Sequence, residues 1–495
     1  MIEKSRNISR PPAVKPLNLT PKAMKNENKT RFVLFLIAFV AVSFFSVSAY
    51  TGAFNKGTKN NFPPPKHPIV KSGGGPIHLT TSLDNSYYFD NNNVYLFIDL
   101  KADKVGTERD RSPMNIAVVI DRSGSMADKN KLEYVKKAVE YIIDQTGRDD
   151  YISVVTYDDY VDVLQRSAVI RDKSDLRKRV SKLQPGGFTN LSDGMFEGYD
   201  QVNGTYSRGY VNRVLLLSDG LANRGITDRY KLAGMVRDKN RRDGITISTF
   251  GVGNDFNENL MTDIADYGKG NYYYIRNSYD IPEIFANELS GVRNLVGQGT
   301  KLRVRFPSKY LSVNKVFGYP YDISGDEITI DFKDVFSEQT KSVLIKFNVT
   351  RRIDRKLNFE SELTYEDVYA DFNRVTAADN ISLEPAKNKD EYEKGNNETV
   401  QQNVSVFEAN DMMENALKEA DNGNYDNARI IMEDAQQYMG EQMNTVTPSP
   451  DMKRQSENMD KYNDELKSAE KKTEEEKSEM QKSGKYDNYN TRKGN

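Results

Sequence analysis

The sequence predicts an α/β unit with a doubly wound, mostly parallel sheet, inserted in an antiparallel β-sandwich and followed by a helical hairpin and a polar tail. Three observations carry this. Between residues 112 and 296, wholly apolar strands alternate with amphipathic helices, as in a parallel sheet covered on both faces. On either side, short segments alternate apolar and polar residues with a period of two, the pattern of antiparallel strands. Beyond Val404 the strand patterns give way to helical spacing. At 495 residues the chain has room for several such units.

In chain order, residues 1–31 form a basic N-terminal segment. Phe32 to Tyr50 is an almost unbroken apolar run preceded by Lys25, Lys29 and Arg31. It ends in Val47-Ser48-Ala49, small residues at signal-peptidase spacing. A start at Met24 makes it an ordinary secretory signal, whereas a start at Met1 makes it a single N-terminal anchor. Both alternatives export the remainder, because the positive charge precedes the apolar run. Residues 51–76, rich in Pro, Gly and Asn, read as a linker.

The first sandwich strands are expected in 77–111, in IHLTTSLD and NVYLFIDLKA. The α/β unit then opens with the apolar strand MNIAVVID. The following helix carries Leu132, Val135, Val139, Ile142 and Ile143 on one face. Strands YISVVTY, YVDVLQRS, RVLLLSD, ITISTFGVG and YYYI follow, with helices between them, and a last helix is expected from Ile281 to about Leu295. Tyr272, Tyr273 and Tyr274 read as a buried edge strand. Gly297-Gln298-Gly299 would join the last helix to the rest of the sandwich, in 297–384. A linker over 385–403 precedes a hairpin in 404–442 that turns at Asn422-Gly423-Asn424 and has the Ala416/Ala420 and Ala428/Ala435 spacing of a tetratricopeptide-like pair. Residues 443–495 are almost entirely polar and read as a solvated, partly disordered tail.

Composition narrows the chemistry. Lys and Arg number 70 against 72 Asp and Glu, which gives no electrostatic case for nucleic acid. With no Cys and only His67 and His78, thiolate metal sites, thiol nucleophiles and His-dependent triads are excluded. A metal in this chain must be held by oxygen, which favours hard divalent ions.

Oxygen donors concentrate where the α/β strands end, the edge at which such sheets bind ligands. The first strand finishes in Asp121-Arg122-Ser123-Gly124-Ser125, with Gly124 expected to permit the turn. Pro185-Gly186-Gly187-Phe188-Thr189-Asn190 is a Gly-rich loop presenting the Thr189 hydroxyl, and RVLLLSD ends in Ser218-Asp219-Gly220. Two carboxylates and three hydroxyls supply five donors of an octahedral shell and leave one position for an anion, such as a carboxylate on another protein. Taken singly, Asp-x-Ser-x-Ser is a common helix-capping turn. Three such elements at three strand ends are not explained that way. Asp158 and Asp159 read as turn acids, Asp128 as a helix-start residue, and Asn223 and Arg224 either as partner contacts or as loop structure.

Asp-x-Ser-x-Ser, the loop Thr and the strand-end Asp-Gly, in this order, resemble a von Willebrand factor type A domain over residues 112–296. The resemblance implies that Asp121, Ser123, Ser125, Thr189 and Asp219 form its metal-ion-dependent adhesion site for Mg2+, with Mn2+ or Ca2+ as alternatives. VVIDRSGSM, GGFTNLSDGM and LLLSDGLANRGITD further resemble exported bacterial relatives of inter-alpha-trypsin inhibitor heavy chains, some labelled calcium-activated chloride channel homologues. One span cannot form a pore, and the sequence contains no HExxH peptidase motif. The resemblance therefore implies a non-enzymatic, exported module of the cell envelope that binds a protein partner through that partner's carboxylate. The alternative is a scaffold of an envelope complex in which metal only stabilises the fold. A metal-dependent hydrolase at the same site would lack a His base, a Cys nucleophile and a Walker A loop.

Overall fold

The computed structural model describes residues 70–71, 75–90, 92–105, 112–220, 222–254, 256–290 and 294–493. The basic N-terminal segment, the apolar run and nearly all of the first linker lie outside the described residues.

The chain enters through β1 (Val70–Lys71), β2 (Ile77–Leu83), β3 (Tyr87–Tyr88) and β4 (Asn93–Ala102). It then builds the α/β unit from β5 (Met114–Asp121), α1 (Lys131–Gln145), β6 (Tyr151–Tyr157), β7 (Val161–Val169), α2 (Lys173–Ser181) and α3 (Leu191–Gly204). The same unit continues with β8 (Val211–Ser218), α4 (Arg229–Asp243), β9 (Thr246–Val252), α5 (Glu258–Tyr267), β10 (Lys269–Ile275) and α6 (Ile281–Ser290).

The sheet order is β10-β9-β8-β5-β6-β7, parallel throughout except for the β6–β7 hairpin. Alternation along β5 divides the core. Ile116, Val118 and Ile120 pack on the side of α1 and α6, while Ala117 and Val119 pack on the side of α3, α4 and α5. Every residue of β5, β8 and β9 is buried, which is why these strands read as continuous apolar runs. The chain progresses from β5 toward β7 on one side and from β8 toward β10 on the other. The strand order therefore reverses between β5 and β8, where the two connections leave a crevice at the carboxyl ends.

The sandwich closes with β11 (Leu295–Arg305), β12 (Leu311–Phe317), β13 (Tyr321–Ser324), β14 (Glu327–Phe336), β15 (Thr340–Val349), β16 (Leu357–Asp367) and β17 (Asn373–Pro385). The early strands β2 and β4 pair with the late strands β15 and β12 in one sheet, and β16, β11 and β14 centre the other. A single apolar core, including Leu96, Ile98, Val304, Ile330, Phe347 and Phe359, lies between the two sheets. One sandwich is thus interrupted by the α/β unit, as the strand patterns predict.

Four expectations need correction. The last helix of the α/β unit ends at Ser290, not near Leu295, and Leu295 opens strand β11. Gly297-Gln298-Gly299 is consequently no linker; it lies within β11, where the pairing with β14 shifts register. The polar tail is folded. After α7 (Lys389–Lys394) and the hairpin α8 (Glu398–Asp421) and α9 (Tyr425–Thr445) come α10 (Pro450–Lys467) and α11 (Glu474–Lys493). Met452, Met459, Tyr462, Leu466 and Met480 join the alanines of the hairpin in one core. Helices also occupy most of the expected 385–403 linker.

Helix α11 docks on the α/β unit. Lys482 Nζ donates to the Phe256 carbonyl at 2.8 Å, and Tyr489 Oη accepts from Tyr272 N at 3.1 Å. Arg492 pairs with Asp266 at 2.8 Å. Tyr272, Tyr273 and Tyr274 are buried on the edge strand β10, as the sequence suggests.

Candidate functional site

Strand register sets the first two elements side by side. Ile120 of β5 stands opposite Leu217 of β8, so Asp121 and Ser218 leave the sheet at the same level. Asp121 is fully buried, and its two oxygens are both used. Oδ1 accepts from Ser123 N at 2.9 Å, and Oδ2 accepts from Ser218 Oγ at 2.6 Å and Tyr157 Oη at 3.2 Å. Burial pushes this carboxyl up to about 6, and the neighbouring charge of Asp219 adds to the rise.

Backbone hydrogen bonds join the three loops. Gly186 N donates to the Arg122 carbonyl at 2.8 Å, and Gly124 N donates to the Gly187 carbonyl at 3.0 Å. The Gly-rich loop is thereby held against Asp-x-Ser-x-Ser. Gly187 has φ +75°, and a Cβ there would fall 2.7 Å from Asp159 Oδ2, so this position requires glycine. Gly124, by contrast, has no positive φ, and a Cβ there would meet the Gly187 carbonyl only at 3.4 Å, an ordinary contact. The backbone nitrogens of Asn223 and Arg224 donate to the Thr189 carbonyl, which ties the third loop to the second. Asn190 then caps α3 through its side chain.

The hydroxyls of Ser123 and Ser125 lie 3.2 Å apart. Adjacent oxygens around one octahedral Mg2+ with ordinary bonds are separated by about 3.0 Å. Ser123 and Thr189 are buried, Asp219 is fully buried, and Ser125 is half-buried. Among the described residues no cluster of three or more His, Asp or Glu side chains could hold a metal. Two carboxylates with three hydroxyls are the donor set for a hard ion, and the residues present fit one.

Asp158 bonds Tyr160 N and pairs with Arg122 at 2.8 Å, consistent with a turn acid that fixes its loop. Asn223 Oδ1 accepts from Thr189 N at 2.8 Å, so its amide group supports the loop. Arg224 pairs with Asp159 and keeps half its side chain exposed. Asp128 is extended (φ −71°, ψ 142°) at a kink ahead of α1 rather than at the helix start, which falls at Lys131.

Sequence reasoning missed three residues here. Ser218 and Tyr157 bond Asp121, and both look like plain strand residues in the sequence. Lys131 bonds Asp219 Oδ2 at 3.1 Å, with neither side chain exposed. Its signal was legible: Lys131 shares a helix face with Val135, Ala138 and Ile142, a charged residue on an apolar stripe.

Residues 115–287 match the von Willebrand factor type A domain, and this part of the chain is such a domain. YfbK of Escherichia coli strain K12 is 30% identical over 224 residues, which is 44% of this chain and 39% of that protein. Human inter-alpha-trypsin inhibitor heavy chain H3 is 30% identical over 162 residues, 31% of this chain and 18% of the heavy chain. The match thus spans well under half the length of either relative. Among solved structures, a von Willebrand factor type A protein from Catenulispora acidiphila aligns over 78% of this chain and 91% of its own, with TM-score 0.62 and 16% identity. The ArnB paralog VWA2 from Sulfolobus acidocaldarius aligns over 83% and 98%, with TM-score 0.54 and 16% identity. Both alignments extend well beyond residues 115–287, so the fold shared with these structures is larger than the α/β unit alone.

Proposed function

We propose that this von Willebrand factor type A domain protein is a non-enzymatic binding module that grips a carboxylate of a protein partner through a divalent ion. Domains of this type generally mediate protein–protein interactions and commonly hold such an ion. Asp121, Ser123, Ser125, Thr189 and Asp219 would hold it here, and Mg2+ fits best, with Mn2+ and Ca2+ as substitutes. When bound, the ion supplies an electrophilic position for an anionic oxygen. The observation that supports this reading is the joining of three hydroxyl- and carboxylate-bearing loops at the crevice between β5 and β8, with two serine hydroxyls at the spacing of neighbouring ligands.

The apolar run behind basic residues supports export to the cell envelope, where the partner would reside. The test is capture of envelope proteins by the immobilised chain in Mg2+, in EDTA and as Asp121→Ala. Capture in Mg2+ alone is expected, and equal capture under all three conditions rejects the proposal. If Mg2+ raises the melting temperature strongly but no chelator-sensitive partner is retained, the scaffold reading stands instead.

A further inference from the structure

Lys131 is the first residue of α1, and its side chain has no exposed surface. A buried ammonium is costly unless it is paired, and a residue required only for packing at this position would be apolar. Two local features direct it at the site. Lys129 and Asn130 both have positive φ, 50° and 60°, a sharp bend immediately before α1. Gly253, at the carboxyl end of β9, has φ +80° and runs so close that a Cβ there would lie 2.8 Å from Lys131 Cε. The stem therefore passes under a glycine to bring its charge to Asp219.

We propose that Lys131 is a built-in cation of the metal site, neutralising Asp219 when metal is absent and trading affinity for the ion against affinity for the anion that the ion binds. The inference rests on the metal-site reading above. Asp121 and Asp219 bring two carboxylates to the site, and Lys131 adds one positive charge beside them. That charge repels an incoming divalent ion and attracts the carboxylate that the ion would bind. Without Lys131 the site would carry one positive charge fewer. It would hold the ion more tightly and the partner less tightly.

The experiment uses the full chain as Lys131→Met and Lys131→Gln, titrated calorimetrically with Mg2+ and melted in EDTA and in saturating Mg2+. We expect the Mg2+ dissociation constant to fall roughly tenfold or more in both variants. The melting temperature should drop in EDTA, where Asp219 loses its cation, and recover in Mg2+. An unchanged or weakened Mg2+ affinity, or an equal melting deficit in both buffers, overturns the role of Lys131. The Gln variant retains a donor toward Asp219 and gives the same readings if the Met variant does not fold. Wild type and variants that all fail to bind Mg2+ reject the metal site itself, an outcome distinct from normal binding that the substitutions leave unmoved.

Discussion

Strand β8 carries a buried ion pair near each end, and the two are built differently. Near its start, Arg213 pairs with Glu288 of α6 at 2.8 Å, with side-chain exposures of 5% and 0%. Glu288 also accepts from Ser248 at 2.6 Å, Tyr273 at 3.0 Å and Asn271 at 3.1 Å, while Arg213 Nε donates to Thr246 Oγ1 at 3.0 Å. Burial alone would raise the Glu288 carboxyl. Arg213 and these hydrogen bonds outweigh it and hold the carboxyl below its ordinary range. Just beyond the other end, Asp219 pairs with Lys131 beside a second buried carboxylate, Asp121, whose ionisation is opposed first by burial and then by that proximity. The first arrangement is saturated and fastens the last helix of the α/β unit to its sheet. The second concentrates like charges that a cation relieves. Buried charge thus does structural work at the amino edge of the sheet, and at the carboxyl edge it gathers where the proposed ion would bind.

Substitutions can break or sharpen this contrast. The largest effect is expected from Glu288→Ala, which leaves Arg213 buried without its carboxylate. It should cost about 3–5 kcal/mol in urea unfolding and leave the Mg2+ response of the folded protein unchanged. A loss of about 1 kcal/mol or less would remove the distinction between the two pairs.

A smaller effect concerns Asp334, a buried carboxyl that also feels the charge of Arg213. Burial pushes it up to about 6, against the lowering influence of Arg213, Lys341 and Lys333. The folded state therefore binds this proton more tightly than the unfolded chain does. Its contribution to stability is fully present below about pH 4 and is lost as pH rises toward 6. Asp334→Asn should abolish that decline, gaining on the wild type by on the order of 3 kcal/mol between pH 4 and 7. Parallel pH profiles for the two proteins would show that Asp334 ionises freely in the fold. The smallest effect is at Asn257, which caps α5 through its side chain while its backbone nitrogen donates to the Asp219 carbonyl at 3.0 Å. Asn257→Ala should cost about 1 kcal/mol by thermal unfolding, with the backbone contact to Asp219 retained.

The strands of the α/β unit were legible because burial on both faces makes them continuous apolar runs. The flanking strands were legible because one-sided burial makes them alternate. The end of α6 was misplaced because Leu295 and Val296 suit either a helix or a strand, and pairing with β14 and β16 decides for the strand. The tail misled for a related reason. Met452, Met459, Tyr462 and Leu466 are a sparse stripe among charges, too few to bury a face alone, and they become a core only against the preceding hairpin.

By itself the sequence determined the alternation of elements, the oxygen-only donor set and the loops that carry it, because residue type and spacing along the chain are local properties. Tertiary structure decided which of those loops touch, that Ser218 and Tyr157 engage Asp121, and that a lysine ten positions beyond that aspartate reaches the carboxylate of another loop. These depend on strand order and on the approach of Gly253. Contacts between residues 88 positions apart leave no mark in the spacing of either segment.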